Sequence, residues 1–286
     1  MRLRHPARAM SAAIFTIILF AALLHAVWNA IVKVAPDKTL SAILVAISGA
    51  TISALIVPML PQPAPAAWPF LAISTVLQVG YYALVASAYR AADMSLAYPL
   101  MRGLAPLIVA AVTAFALGDH LTAPAWIGVV LVSVGVVATA LGARGSGNGR
   151  GALFAIGNAV VIAAYTISDG LGVRASNAPV AYTMWLMILT ALPLIVWVIV
   201  FRRDFPRYAR RYAGLGFVGG LATLTSYGLA LWAMTLAPVA VVAALRETSI
   251  LFGTAIAALV LKERVTPARL AAIGLIAAGA VALRLA

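Results

Sequence analysis

The stretch Ala237–Arg269, APVAVVAALRETSILFGTAIAALVLKERVTPAR, decides the fold. It reads as one long apolar helix, a short charged turn and the start of another helix. Its peculiarity is Arg246-Glu247, two ionic residues inside an otherwise apolar run. A second stretch, Met94–Thr122, MSLAYPLMRGLAPLIVAAVTAFALGDHLT, carries Arg102 at the matching place and also ends in an acid-base turn before a threonine.

A gapless shift of 144 residues, 102 to 246, sets Thr122 on Thr266 and Gly135 on Gly279. It sets Leu117-Gly118-Asp119-His120 on Leu261-Lys262-Glu263-Arg264, and Gly103 on Glu247. Coincidences among Ala, Leu and Val carry little weight in a chain dominated by them. The arginine, turn, threonine and glycine in one register carry more.

Outward from these stretches, the apolar blocks read as ten spans: 11–33, 39–60, 67–89, 93–117, 122–142, 151–172, 179–201, 212–235, 238–261 and 266–285. The expected organisation is a first five-helix repeat over 11–142, a Gly/Ser-rich linker over 143–150 and a second repeat over 151–286. Five is odd, so the second copy enters the membrane in the opposite sense. Inverted repeats of this kind build secondary transporters around a midplane site.

Composition agrees. The chain is 64% hydrophobic and 9% charged, with a mean hydropathy of +1.07, far too apolar for a soluble domain of this length. The fold class is therefore an all-α membrane protein; the alternating ~10-residue segments of a β-barrel are missing. Net charge +13 does not point to nucleic acid here, because the basic residues sit in short loops and at helix ends. The absence of cysteine removes disulfides and thiolate metal sites. Arg2, Arg4 and Arg8 before an apolar core resemble a secretory signal, but the run continues through Trp28 and Asn29 to Lys33, long enough to span. If Met10 is the start, those three arginines fall outside the protein.

The terminal face carries Arg2, Arg4, Arg8, Arg174 and Arg284, and the remaining loop lysines and arginines lie on the opposite face. The positive-inside rule then sets both termini outside.

Arg102 and Arg246 are the leading candidates for a site that attracts an anion, since a charge at membrane depth costs about 2.5–3.5 kcal/mol unless it is paired or faces water. The plainer reading pairs Arg246 with Glu247 or with helix-end carbonyls, but neighbours on a helix point about 100° apart, so Arg246 and Glu247 form no ideal pair with each other. Glu247 and Asp169 are the candidates for proton or cation coupling. Asp169 stands near the end of its predicted span, so the plainer reading sets it close to water and bonds it to Arg174 or to backbone donors. His25, Trp28 and Asn29 share one face of the first helix, as a cavity wall or as interhelical packing. Tyr82, Tyr98 and Tyr165 are candidate cavity aromatics, with Trp185 behind them; Trp68, Tyr208 and Tyr212 read as interfacial anchors. Gly216-xxx-Gly220 and Gly274-xxx-Ala278 read as close helix packing inside the protein, or as a dimer contact. The three histidines have no ligand spacing, so no metal is expected. Without GxGxxG, P-loop, GxSxG or HExxH, neither a cofactor nor enzyme activity is expected.

The sequence resembles the drug/metabolite transporter superfamily, EamA type, over nearly everything from Ala12 to Leu285. The resemblance rests on His25-Ala26-Val27-Trp28-Asn29-Ala30, Tyr98-Pro99-Leu100-Met101-Arg102-Gly103, Ala164-Tyr165-Thr166-Ile167-Ser168-Asp169-Gly170 and Ala244-Leu245-Arg246-Glu247-Thr248-Ser249. The two turns resemble the family's Gly-Glu-Arg turn, with Asp119 for Glu in the first and Lys262 for Gly in the second. The resemblance implies ten helices in two inverted repeats, a central cavity, and alternating-access movement of small metabolites, commonly export. It also implies termini in the cytoplasm, opposite to the charge distribution.

The expected protein is a multi-pass transporter of the inner membrane. It exports a small polar or anionic, amino-acid-like metabolite, with lipid and the substrate as partners, coupling to a proton or ion, and a monomeric or homodimeric state. The alternatives are a proton-coupled exporter of cationic drugs and a non-transporting structural or lipid-handling membrane protein.

Overall fold

The computed structural model describes residues 10–140, 149–263 and 265–286, with backbone alone at 94 and 95. Among these residues the chain is helical: α1 Ala12–Val34, α2 Lys38–Ile56, α3 Trp68–Ala91, α4 Met94–Phe115, α5 Ala123–Ala138, α6 Gly149–Ser176, α7 Pro179–Phe201, α8 Phe205–Met234, α9 Val239–Arg246, α10 Ser249–Leu259 and α11 Pro267–Leu285. Nine segments are long and apolar enough to cross a membrane, with α9 and α10 counted as one. The shorter α5 makes the tenth.

Helix starts follow from capping chemistry. Ser11, Asp37, Thr122 and Thr266 each accept a first-turn amide proton on a side-chain oxygen, which satisfies a donor that has no partner inside the helix. Thr122 and Thr266 hold the same post in their respective halves, which explains why the threonine recurs. The preceding turns match as well. The Leu117 amide reaches the Val112 carbonyl and the Leu261 amide the Ile256 carbonyl, each at 3.2 Å. Asp119 reaches Thr113 and Glu263 reaches Ala257, each at 2.9 Å. Gly118 and Lys262 both sit at positive φ, 74° and 54°.

Packing respects the same exchange. α3 lies against α6 as α8 lies against α1, and α4 meets α6 as the α9–α10 pair meets α1. α5 pairs with α11, its own counterpart, and α2 with α7. At the α5–α11 contact a Cβ on Gly135 would stand 2.9 Å from the Ala272 carbonyl oxygen and press on Ile276. A Cβ on Gly279 would stand 2.9 Å from the Gly128 carbonyl oxygen and press on Val132. The 144-residue shift turns one contact into the other, as a self-complementary interface requires.

Four expectations change. The linker lies outside the described residues through 148, but Gly149 and Arg150 already belong to α6. The eighth helix begins at Phe205 rather than 212, with a break from helical dihedrals at Tyr212; residues 205–211 are too basic to read as apolar span. The ninth span is broken after Arg246. Finally, Gly216 and Gly220 do pack inside, against Leu44 and Ser48-Gly49 of α2, but Gly274 meets nothing within 4 Å. In α11 the inward stripe is Ala272, Ile276, Gly279 and Leu283.

Candidate functional site

The break in the ninth span sets the centre. Glu247, Thr248, Ile250 and Leu251 all donate backbone bonds three residues back, to Ala244, Leu245, Glu247 and Thr248, the tight pattern of a 3₁₀ turn, often seen at functional hinges. The Thr248 hydroxyl donates to the Leu245 carbonyl at 2.6 Å, competing with the helix ladder. The turn sends the adjacent Arg246 and Glu247 to different neighbours.

Glu247 reaches α4. Its Oε1 is 2.7 Å from Arg102 Nη2, and its Oε2 accepts from Arg102 Nε at 3.1 Å. This is the two-point guanidinium–carboxylate geometry that makes such pairs strong. The side chains are 13% and 6% exposed. Pro106 has no N–H to give the Arg102 carbonyl four residues earlier, so α4 is loosened where the arginine sits.

Arg246 turns to α8. Its guanidinium carbon lies 4.8 Å from the Tyr227 ring centroid, a cation–π contact. Among the described residues it makes no hydrogen bond or ion pair. The Tyr227 hydroxyl donates to Asp169 Oδ2 at 2.6 Å, the Tyr182 hydroxyl to Oδ1 at 3.2 Å, and Ser74 adds a further hydroxyl. Asp169 is fully buried, so it is neither close to water nor bonded to Arg174. Arg174 instead donates to the Met234 and Ala237 carbonyls at 2.7 and 3.0 Å, closing the end of α8.

A cavity of about 570 Å³ opens beside this cluster. His25, Asn29, Lys33, Tyr98, Ser249 and Arg269 are among its walls. Lys33, Thr139 and Arg269 sit on the arginine-rich face, so the mouth opens there. Arg102, Arg246 and Glu247 are not among its walls; two wall residues lie within electrostatic reach of them, His25 of Arg102 and Arg246 and Tyr98 of Arg102 and Glu247.

The candidate residues thus divide. His25, Asn29 and Tyr98 line the cavity. Tyr165 lies within electrostatic reach of Arg102, Arg246, Asp169 and Glu247. Trp28 donates to His25 Nδ1 at 3.3 Å, and Asn29 to the His25 carbonyl at 2.7 Å, so both bond along their own helix. Tyr82 is 43% exposed, its ring against Tyr81. Trp185 stands at the opposite end, edge-on to Trp68 and bonded to Gln62. Sequence reasoning passed over Tyr227 and Tyr182; a hydroxyl at membrane depth, which needs a partner, was the available signal. Among the described residues no three His, Cys, Asp or Glu side chains converge on a metal position.

Fold and centre define a polytopic helical membrane protein whose polar core joins two halves. Residues 149–285 match the EamA-like transporter family. A solved structure, described only as the crystal structure of a protein, is similar with a TM-score of 0.73, covering 96% of this chain and 96% of that one at 21% identity. At that identity the likeness is one of fold, and it extends over both halves. No curated protein matches the chain significantly. The family match agrees with the EamA-type resemblance of the sequence over residues 149–285. The family suggests a membrane transporter, with a small-molecule substrate and lipid as its partners.

Proposed function

We propose that this protein is a secondary active transporter, working as an exporter at the inner membrane, of a small polar or anionic, amino-acid-like metabolite. It would work by alternating access of its two inverted repeats, 11–142 and 151–286, around the centre. The observation that carries the reading is Arg246, without an ion-pair partner among the described residues, beside the Arg102–Glu247 pair and near a cavity whose wall residues His25 and Tyr98 lie within electrostatic reach of these charges. A substrate carboxylate has a free guanidinium to meet at Arg246, and can compete with Glu247 for Arg102. A substrate ammonium then has Glu247 to pair with. His25, Asn29 and Tyr98 shape the space around it, with Tyr165 within electrostatic reach of the same charges. Asp169, held by tyrosine hydroxyls beside Arg246, is the coupling candidate, with Glu247 second.

A purely cationic cargo fits less well. Both central carboxylates are engaged, Glu247 by Arg102 and Asp169 by Tyr182 and Tyr227.

The cavity mouth lies on the arginine-rich face, which the charge rule sets in the cytoplasm, the side from which an exporter loads. Single cysteines in this cysteine-free chain test the orientation. Ala66→Cys should react with an impermeant maleimide on intact cells, and Lys38→Cys only after lysis; the reverse result rejects it.

The function itself is tested by counterflow in proteoliposomes preloaded with neutral and acidic amino acids. Saturable exchange of at least one is expected, and Arg246→Ala should abolish it. Wild-type protein without amino-acid exchange overturns the substrate class. Exchange undiminished in Arg246→Ala removes Arg246 from the site.

A further inference from the structure

Arg202, Arg203, Arg207, Arg210 and Arg211 crowd the entry to α8. The positive-inside rule accounts for basic residues on this face, but not for their arrangement around one concavity. Arg202 is already used: it bonds Asp37 at 2.7 Å and Asp204 at 3.0 Å. Arg203, Arg207 and Arg210 make no hydrogen bond or ion pair among the described residues. They frame a surface concavity of about 580 Å³ together with Pro206 and Asp204, and that single acid is engaged by Arg202.

The surroundings set the level of this concavity against the bilayer. Helix α8 departs from helical dihedrals at Tyr212 (φ −113°, ψ 18°), so residues 205–211 form a short basic helix ahead of the span. Tyr208 and Tyr212 face each other with ring centroids 4.6 Å apart, Arg211 lies over Tyr212, and the Tyr208 hydroxyl donates to the Asp37 carbonyl. Paired tyrosines of this kind mark the membrane–water boundary. One turn further on, Leu215, Phe217, Val218 and Leu221 stand outward. Cations, aromatic belt and apolar stripe follow one another as phosphate, glycerol and acyl chain do in a lipid.

We propose that the concavity framed by Arg203, Arg207 and Arg210 binds the phosphate headgroup of an anionic phospholipid whose acyl chains lie along Leu215, Val218 and Leu221. A soluble phosphate would find the cations but leave the stripe unused, so the lipid is the better occupant. Clustered basic residues at the end of a span bind anionic headgroups with about 1 kcal/mol per charge. This site is separate from the central cavity and holds whatever the cargo is.

The test uses the full-length protein in an uncharged detergent, titrated with phosphatidylglycerol, phosphatidylcholine of the same chains, and inorganic phosphate. Melting temperature and retained lipid, counted by native mass spectrometry, are the readouts. Phosphatidylglycerol should raise the melting temperature and stay bound, while phosphatidylcholine should do neither. Each of Arg203→Gln, Arg207→Gln and Arg210→Gln should weaken phosphatidylglycerol about fivefold, and the triple variant should lose it; Arg150→Gln, elsewhere on the same face, should not. If the triple variant fails to melt cooperatively, the single variants decide. An equal response to phosphatidylcholine, wild-type affinity in the arginine variants, or the same rise with inorganic phosphate alone each overturns the proposal.

Discussion

Arg102 and Glu247 bind each other across the boundary between the two halves, at 2.7 and 3.1 Å. The shift that sets Arg102 on Arg246 sets Gly103 on Glu247. The arginines are therefore a repeated feature and the glutamate is not. One glutamate serves the arginine of the other half, and the arginine beside it rests on the Tyr227 ring with no ion-pair partner among the described residues.

A buried pair of this kind behaves differently when broken than when removed. Losing one partner leaves an uncompensated charge and costs about 3–5 kcal/mol, whereas replacing both by apolar groups is often nearly neutral. Arg102→Met and Glu247→Leu should each lower the melting temperature in detergent by several degrees. The double variant should recover most of the loss. Additive losses would mean that the pair contributes no coupling.

Arg246 and Tyr227 separate binding from support. Tyr227→Phe keeps a ring under the guanidinium but removes the hydroxyl from Asp169. Hydrogen bonds to charged groups contribute about 1.5–3 kcal/mol, so this variant should lose stability while its KM for an anionic cargo changes little. Tyr227→Leu also removes the cation–π contact, about 0.5–2 kcal/mol, and should raise KM. Arg246→Lys should retain some transport, with a raised KM, because an ammonium gives the charge but not the fork. Equal KM values for the Phe and Leu variants would show that the ring does not position Arg246.

The sequence made the arginines, Glu247 and Asp169 visible because a charge in an apolar run breaks the pattern. Their partners stayed hidden for a physical reason. Which carboxylate meets Arg102 depends on a 3₁₀ turn at Glu247-Thr248, and residues that fit a helix do not announce that turn. Tyr227 and Tyr182 were hidden because tyrosine is common both in membrane cores and at their edges. The entry to α8 was misplaced because hydropathy detects apolar length, and a basic helix ahead of a span has none. Thr122/Thr266 and Gly135/Gly279, by contrast, were legible as repeats, and the structure supplies their causes: matched caps and a shared close approach.

Asp37 gives a pH dependence outside the membrane. Burial pushes its carboxyl up, but hydrogen bonds from the Arg202 guanidinium and from the Leu40 and Thr39 amides outweigh that and hold it below its ordinary range. A depressed carboxylate contributes stability above its unfolded pKa, about 3.9, and loses that contribution as pH falls through the lower folded value. Asn also caps helices well, so Asp37→Asn should retain the cap and lose only the exposed pair, under about 1 kcal/mol. Asp37→Ala should lose about 1 kcal/mol more. The gap between wild type and Asp37→Asn should be present near neutral pH and shrink as the folded carboxyl is protonated. A gap independent of pH would assign the effect to packing instead.

Gly118 and Lys262 occupy equivalent turns at φ 74° and 54°, yet only one is glycine. A left-handed backbone suits glycine and costs about 1 kcal/mol or more for a residue with a Cβ. A Cβ at Gly118 would meet nothing within 4 Å, so backbone conformation alone sets the penalty there. Lys262→Gly should therefore raise the melting temperature by a few degrees, and Gly118→Ala should lower it by a similar amount. Both effects should be free of any change in transport KM, because neither residue lines the cavity. If Lys262→Gly is destabilising, the lysine side chain holds the turn by a contact worth more than the strain, and the equivalence of the two turns is one of shape without equivalence of energy.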